Sequence, residues 1–416
     1  MSVVVAIAGF VCNTSTGNQD LTTTDLGGLT PVGAWFSWAR KPTEGNGGYS
    51  ADGANMGFGA ATATDEQWCI AVSSEDGQSP SDTYRRGAQD ECVMYLNPAD
   101  GTVDGEAAFV SFITNGVRIN WGNAPSDAWI LFVTFYAGTG VSAHADTFND
   151  ANTVNTAVDV TDPGFEPDAV LLASMHGNIN DTTGSLAALS YGVAVNDGSD
   201  TQASIAWTSR DNANPTGIAV RITDDYGISY VSGFGNPAWA GEITDWDSNG
   251  FSCYSRLGGG GNRGIGYLAL AFDGEVYVGC GTMTTPTSTG NDSQTGPGFT
   301  PQHVHLGICH AQAVDTSYVN SDAEDIGVGL FDDDDEYCIG IYDEDNVNPT
   351  NTSSITDTNG HTVRTSGFVA AFVSFDTNGW TLNFTTTLGA ARYWWWFAVS
   401  EEISVTGSPW YTYAQQ

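Results

Sequence analysis

The chain has 416 residues, 11 Lys plus Arg against 49 Asp plus Glu, and a net charge of −38. With one lysine, Lys41, and ten arginines, it has no basic stripe to neutralise phosphates or anionic lipid, which excludes nucleic acid and an anionic membrane surface as partners of the chain alone. No window of about 18 apolar residues occurs, so no helix in it spans a bilayer. At 41% hydrophobic, with 13 Trp, 16 Tyr and 19 Phe, it can bury large cores, so the charge does not signal disorder.

In chain order, residues 3–12, VVVAIAGFVC, read as a first β-strand. The first basic residue after them is Arg40, so the positive flank of a secretory signal is missing and cytoplasmic synthesis is expected. AAFVSFITNGVRINW (Ala107 to Trp121) reads as a hairpin, because Asn-Gly between alternating runs suits a type I′ turn with positive φ at both central residues. The Thr/Asp/Asn-rich stretch 143–162 reads as a long crossover loop, as does 281–297. NDGSD and FDDDDE each fall between two apolar runs and read as hairpin turns. No segment keeps a helical period over 12 residues.

These elements recur. AAFVSFDTNGWTLNF (Ala370 to Phe384) matches the first hairpin at 10 of 15 positions, and the Asn-Gly pairs at Asn115, Asn249 and Asn378 are 134 and 129 residues apart. Gly57, Gly192 and Gly327 are each 135 apart, and Pro31, Pro167 and Pro301 are 136 and 134 apart. A self-similarity of this stride is a repeat of whole domains rather than of solenoid units. The expected architecture is all-β: three tandem antiparallel β-sandwich domains of jelly-roll or lectin-like type, about 135 residues each. They run 1–136, 137–273 and 274–404, with a C-terminal tail at 405–416.

Seven cysteines without CxxC or CxxH spacing (Cys12, Cys69, Cys92, Cys253, Cys280, Cys309, Cys338) suit buried thiols better than a disulfide framework or zinc site. Five N-x-[ST] sequons, at Asn13, Asn180, Asn291, Asn351 and Asn383, follow from the composition. The run Asp332 to Glu336 with Asp343, Glu344 and Asp345 would collect hard oxygens for Ca²⁺ if the two ends of its hairpin met; a solvated acidic turn is the plainer reading. His303 and His305 share one face of a strand, near Cys309 and His310, where packing is favoured over a metal. Trp239, Trp410 and Tyr411 are loop aromatics suited to stacking on sugar rings or docking a partner, whereas Trp394 to Trp396 belong to a core strand. GxSxG, HExxH, P-loop and GxGxxG motifs are absent, and what repeats is strands and turns rather than a polar constellation. No catalytic, cofactor-binding or metal residue is therefore assigned, no cofactor is expected, and the chain is read as no enzyme.

At GFxPxxV (Gly164 to Val170, Gly298 to Val304), the FxxNG hairpin and the closing aromatic strand, the repeats resemble β-sandwich modules in virion structural proteins of tailed viruses; the first repeat departs from this with LTPVGAW. The resemblance implies a non-enzymatic protein displayed on a viral head or tail, as a decoration, turret or tail component, located in the virion and contacting other capsid or tail proteins. Three copies in one chain suit a pseudo-trimeric monomer or a homo-oligomer. The alternative is a carbohydrate-binding or receptor-binding adhesive protein of such a particle, with host surface glycans as partners; a glycan-cleaving enzyme, needing two facing carboxyls, is a third reading.

Overall fold

The computed structural model describes residues 2–42, 53–258, 261, 263–274, 276–319, 325–357, 363–364 and 367–400. The tail with Trp410 and Tyr411 lies outside them. The described chain is all-β, in six antiparallel sheets, with a single 3-10 turn at Thr24–Leu26.

One strand order appears three times. In the first third, a six-stranded run goes Val4–Val11, Ile130–Ala137, Pro31–Ala39, Ala54–Ala63, Glu66–Ser74, Thr83–Ala88, and faces the four strands Gly17–Thr22, Gly116–Asn123, Val103–Ile113, Val93–Leu96. The second third repeats this with Val141–Asn149, Gly264–Phe272, Ala169–Ser174, Ala187–Val195, Thr201–Ser209, Ile218–Thr223 over Ala157–Val160, Gly250–Leu257, Pro237–Asp247, Ile228–Val231. The last third does so with Val278–Thr284, Tyr393–Ser400, Pro301–Cys309, Ile326–Asp332, Glu336–Asp343, Thr352–Asp357 over Gly290–Gln294, Gly379–Thr386, Val369–Asp376, Val363–Arg364. The inner strands are short, β-branched and aromatic, and buried on both faces, as in Ile130–Ala137 and Ala187–Val195. A strand covered on both sides reads as a continuous apolar run without alternation.

Two expectations change. The stretches 143–162 and 281–297 are not long loops, since each contains parts of two strands, Val141–Asn149 with Ala157–Val160 and Val278–Thr284 with Gly290–Gln294. Their Thr and Asn content suits half-exposed edge strands. The Asn-Gly hairpins form where expected but not as type I′ turns: Asn115 has φ 66°, whereas Gly116 already pairs with Ile113 as the first residue of the next strand. Glycine is needed there for close approach. A Cβ on Gly116, Gly250 or Gly379 would lie 1.9, 1.8 or 1.9 Å from the carbonyl oxygen of Leu21, Val160 or Gln294 on the neighbouring strand.

The three six-stranded sheets pack on one another through a single apolar core that draws on all three thirds. Tyr191 sits in its middle, stacked on Trp35 (5.4 Å) and Phe58 (4.7 Å) and edge-on to Trp395 (4.7 Å). The space beneath each small sheet forms a separate core, which in the last third holds Trp380, Trp394 and Trp396. All seven cysteines are buried and none forms a disulfide among the described residues.

Candidate functional site: a ring of hydroxyl clasps

The loops that follow the strands Glu66–Ser74, Thr201–Ser209 and Glu336–Asp343 carry Ser79-Pro80-Ser81, Asn214-Pro215-Thr216 and Asn348-Pro349-Thr350, at strides of 135 and 134 residues. In each, the hydroxyl after the proline reaches into the next third. Ser81 Oγ donates to the Arg210 carbonyl (2.6 Å) and accepts from the Ala213 N–H (2.9 Å). Thr216 Oγ1 donates to the Glu344 carbonyl (2.7 Å) and accepts from the Val347 N–H (3.0 Å). Thr350 Oγ1 donates to the Glu75 carbonyl (2.7 Å) and accepts from the Gln78 N–H (2.7 Å). The third clasp returns to the first third, so the contacts close a ring.

The backbone repeats the pattern, with Ser81, Thr216 and Thr350 N–H donating to the carbonyls of Ala213, Val347 and Gln78. An aspartate in each loop accepts one further N–H: Asp211 from Thr83 (3.2 Å), Asp345 from Ile218 (2.9 Å) and Asp76 from Thr352 (3.0 Å). The clasp hydroxyls are buried, whereas Ser79, Pro80, Asn214, Pro215, Asn348 and Pro349 are exposed at the loop tips. Ser79 and Asn214 touch across 3.4 Å. Beside them a cavity of about 390 Å³ opens between Gln78 to Asp82 and Asp211 to Asn212.

Beneath this collar three equivalent residues, Ser74, Ser209 and Asp343, are fully or almost fully buried. Asp343 accepts from the hydroxyls of Ser74 (3.4 Å) and Ser209 and from the Glu344 N–H (3.1 Å). Burial outweighs these hydrogen bonds and pushes its carboxyl up to about 7.

The same cyclic logic closes the sheet edges. The first strand of each third is an outer edge, and the preceding third caps it: Ile7 N–H donates to Asp332 Oδ2 (3.1 Å), Ala145 N–H to Thr62 Oγ1 (3.1 Å), and Cys280 Sγ bonds the Thr201 carbonyl (3.2 Å). At the opposite edge, Gly184–Ser185 adds to Thr83–Ala88 and Ser317–Tyr318 adds to Ile218–Thr223. Beside these additions Arg86 meets Asp181 (3.8 Å) and Arg221 meets Asp315 (3.3 Å), while Lys41 donates to the Thr356 carbonyl (3.0 Å). Thus a polar constellation does repeat, contrary to the expectation from sequence; its signal was the proline followed by Ser or Thr at constant stride.

The residues singled out in the sequence fall as follows. Asp332 and Asp343 do not meet, because they lie at opposite ends of paired strands and the strand Glu336–Asp343 separates them by about 3.3 Å per residue. Asp332 accepts N–H bonds from Ile7, Asp334 and Asp335, and burial pushes it up to about 7. His303 and His305 share a face and lie in the central core, their rings 4.6 Å apart. His305 is held between the Tyr191 hydroxyl (2.6 Å) and Thr134 Oγ1 (3.3 Å), whereas among the described residues neither His303 nitrogen has a hydrogen-bond partner. His310 pairs instead with Asp325 (3.5 Å).

Trp239 is 1% exposed, with Nε1 donating to Ser255 Oγ (3.0 Å), so it cannot stack on a ligand at the surface. Trp394, Trp395 and Trp396 are core residues. The carboxylates of Asp224, Asp225 and Asp315 come within 4.8 Å of one another, but Asp315 already takes Arg221 and the Thr223 hydroxyl (2.5 Å). Comparison with protein-family models gives no match, and comparison with curated proteins gives none either.

Proposed function

We propose that this chain is a non-enzymatic structural protein displayed on the outside of a viral head or tail, where it acts through protein–protein contacts. The observation that supports the reading most is the ring of clasps. A threefold set of contacts, ordinarily made between three copies, is satisfied within one chain, which leaves a rigid body whose exposed loops repeat at three positions. Such a body suits docking on a symmetric assembly as a single copy. What the sites repeat is structural hydrogen bonding rather than reacting groups. The strong negative charge keeps like particles apart and suits an outward face.

The test is to purify particles from a culture that makes the chain and to assay them by mass spectrometry and immunogold labelling, with light scattering on the free protein. The reading expects the chain on intact particles and a 43.8 kDa monomer in solution. A chain found only in the free fraction overturns it, and a stable trimer overturns the single-copy docking.

A further inference from the structure

The loop that crosses from the second third onto the first, residues 177–184, borders a small open cavity of about 150 Å³, with the half-buried Arg85 on one wall and the exposed Asn178, Asn180 and Thr182 on the other. Five other arginines, Arg86, Arg118, Arg221, Arg256 and Arg263, each take a carboxylate. Like Arg210, which lies over the Phe234 ring, and Arg392, which donates to the Ala390 and Ala391 carbonyls, Arg85 makes no salt bridge among the described residues. Its one hydrogen bond among them is a long one, from Nη1 to the Met175 carbonyl (3.4 Å). Its charged neighbour is another guanidinium, Arg263, and the imidazole of the buried His176 lies beside both, stacked on Tyr230 at 4.1 Å. A half-buried cation without a counter-charge is costly, and with 49 acids in the chain the lack of a partner is a local choice.

The surroundings hold the guanidinium ready. A Cβ on Gly177 or Gly184 would stand 3.1 or 3.2 Å from Arg85 Nε, so two bare stretches of backbone lie flat against it. The fold does not require the residue, because the strand register puts Val220 and Ser354 at the equivalent places of the other thirds. Directly adjoining, and sharing Asn178 and Asn180, is a second cavity of about 270 Å³ lined by Gln89, Thr147, Asn149 and Ile179. Among the described residues, neither cavity has a carboxylate in its wall. The carboxamides of Asn178 and Asn180 make no hydrogen bond among the described residues.

We propose that these joined cavities bind an acidic sugar unit of a glycan, its carboxylate against Arg85 and its hydroxyls against the amides of Asn178, Asn180, Asn149 and Gln89. An oxyanion supplies the missing counter-charge through a charge-assisted pair, and neutral amides both donate to and accept from hydroxyls. The proposal stands independently of where the protein is displayed.

The probes are the methyl glycosides of glucuronic acid and N-acetylneuraminic acid, with neutral methyl glucoside and inorganic sulfate as the comparison arms, all at one ionic strength. Binding is read by calorimetry and by the Nε–Hε signal of Arg85 in ¹⁵N-labelled protein. At least one acidic sugar is expected to bind saturably, on the order of millimolar for so few contacts, and to move the Arg85 signal. Arg85→Val, which installs the residue of the second third, should fold normally and weaken binding by about tenfold or more, whereas Arg118→Gln leaves it unchanged. Sulfate binding as tightly as either acidic sugar overturns the sugar assignment. Undiminished binding by Arg85→Val, or no saturable binding by the wild type, overturns the site.

Discussion

Asp343 stands where the other two thirds have Ser74 and Ser209, and burial pushes its carboxyl up to about 7. Its folded pKa lies above the unfolded value of about 3.9, so the folded state binds the proton more tightly. The stability this lends is complete below the unfolded pKa and is lost as pH rises through 7. Asp343→Asn keeps the shape and an acceptor for the two serines while removing the charge. The variant is expected to melt higher than the wild type at pH 8 and at the same temperature near pH 4, by about 1.4 kcal/mol for each unit of the shift it abolishes. Thermal melts across that range check it, and a variant less stable at pH 8 would show that the ionised carboxylate is needed. His303 has the opposite sign. Burial lowers it to about 3, below its unfolded value, so it costs stability as pH falls from about 6.5; His303→Leu should therefore flatten the acid side alone. Lys41, the only lysine, is 5% exposed and donates to the Thr356 carbonyl of the last third. Amine-reactive reagents are expected to leave Lys41 unmodified in the folded protein and to modify it fully in denaturant, as peptide mapping would show; rapid labelling of the native protein would mean that this contact opens freely.

Each third presents two sheet edges to a neighbour, and edges with unpaired backbone groups are what make β-proteins associate. In the first and second thirds the first-strand edge is capped by a side chain of the preceding third and the opposite edge gains two residues from the following one. In the last third the Cys280 thiol bonds the Thr201 carbonyl instead, and in all three a hydroxyl clasp pins the adjoining loop. Because a clasp hydroxyl both donates and accepts, its removal leaves a carbonyl and an N–H without their partner. Ser81→Ala, Thr216→Val and Thr350→Val should each cost about 1–3 kcal/mol in chemical denaturation, and the three losses should be alike because the geometry is alike. A clasp whose loss is near zero would mark the seam where the ring opens first. The strands, the core position of Trp394 to Trp396 and the hairpin turns at NDGSD and FDDDDE were legible from apolar runs and punctuation. The clasps were not, because an isolated Ser or Thr after a proline reads as ordinary turn chemistry until its partner loop in another third of the chain is known. Trp239 misled for a related reason. Its Gly- and Pro-rich surroundings indicate a loop, yet it falls within the strand Pro237–Asp247, whose register turns it inward against Ser255.

Repetition in the sequence invites the picture of three independent domains, but the central core contradicts independence. Tyr191, from the second third, rests on Trp35 and Phe58 of the first and Trp395 of the last, and its hydroxyl meets His305 of the last. Trp68 of the first third donates to the Tyr267 carbonyl of the second (2.8 Å), against a bare Gly266 that leaves room for its ring. A third removed from the ring would expose these aromatics, each carrying about 1.5–3 kcal/mol or more of burial, together with an unpaired clasp and two raw edges. The whole chain is therefore expected to unfold in one calorimetric transition whose van't Hoff and calorimetric enthalpies agree, despite a length at which separate domain transitions are common. A fragment covering residues 1–140 should fail to give a cooperative melt on its own. Three resolved transitions, or a well-folded fragment, would show that the small outer cores suffice and that the shared core only docks finished domains. A single transition would instead make ring closure the step on which stability depends. The clasp variants would then lower one common midpoint rather than loosen one third.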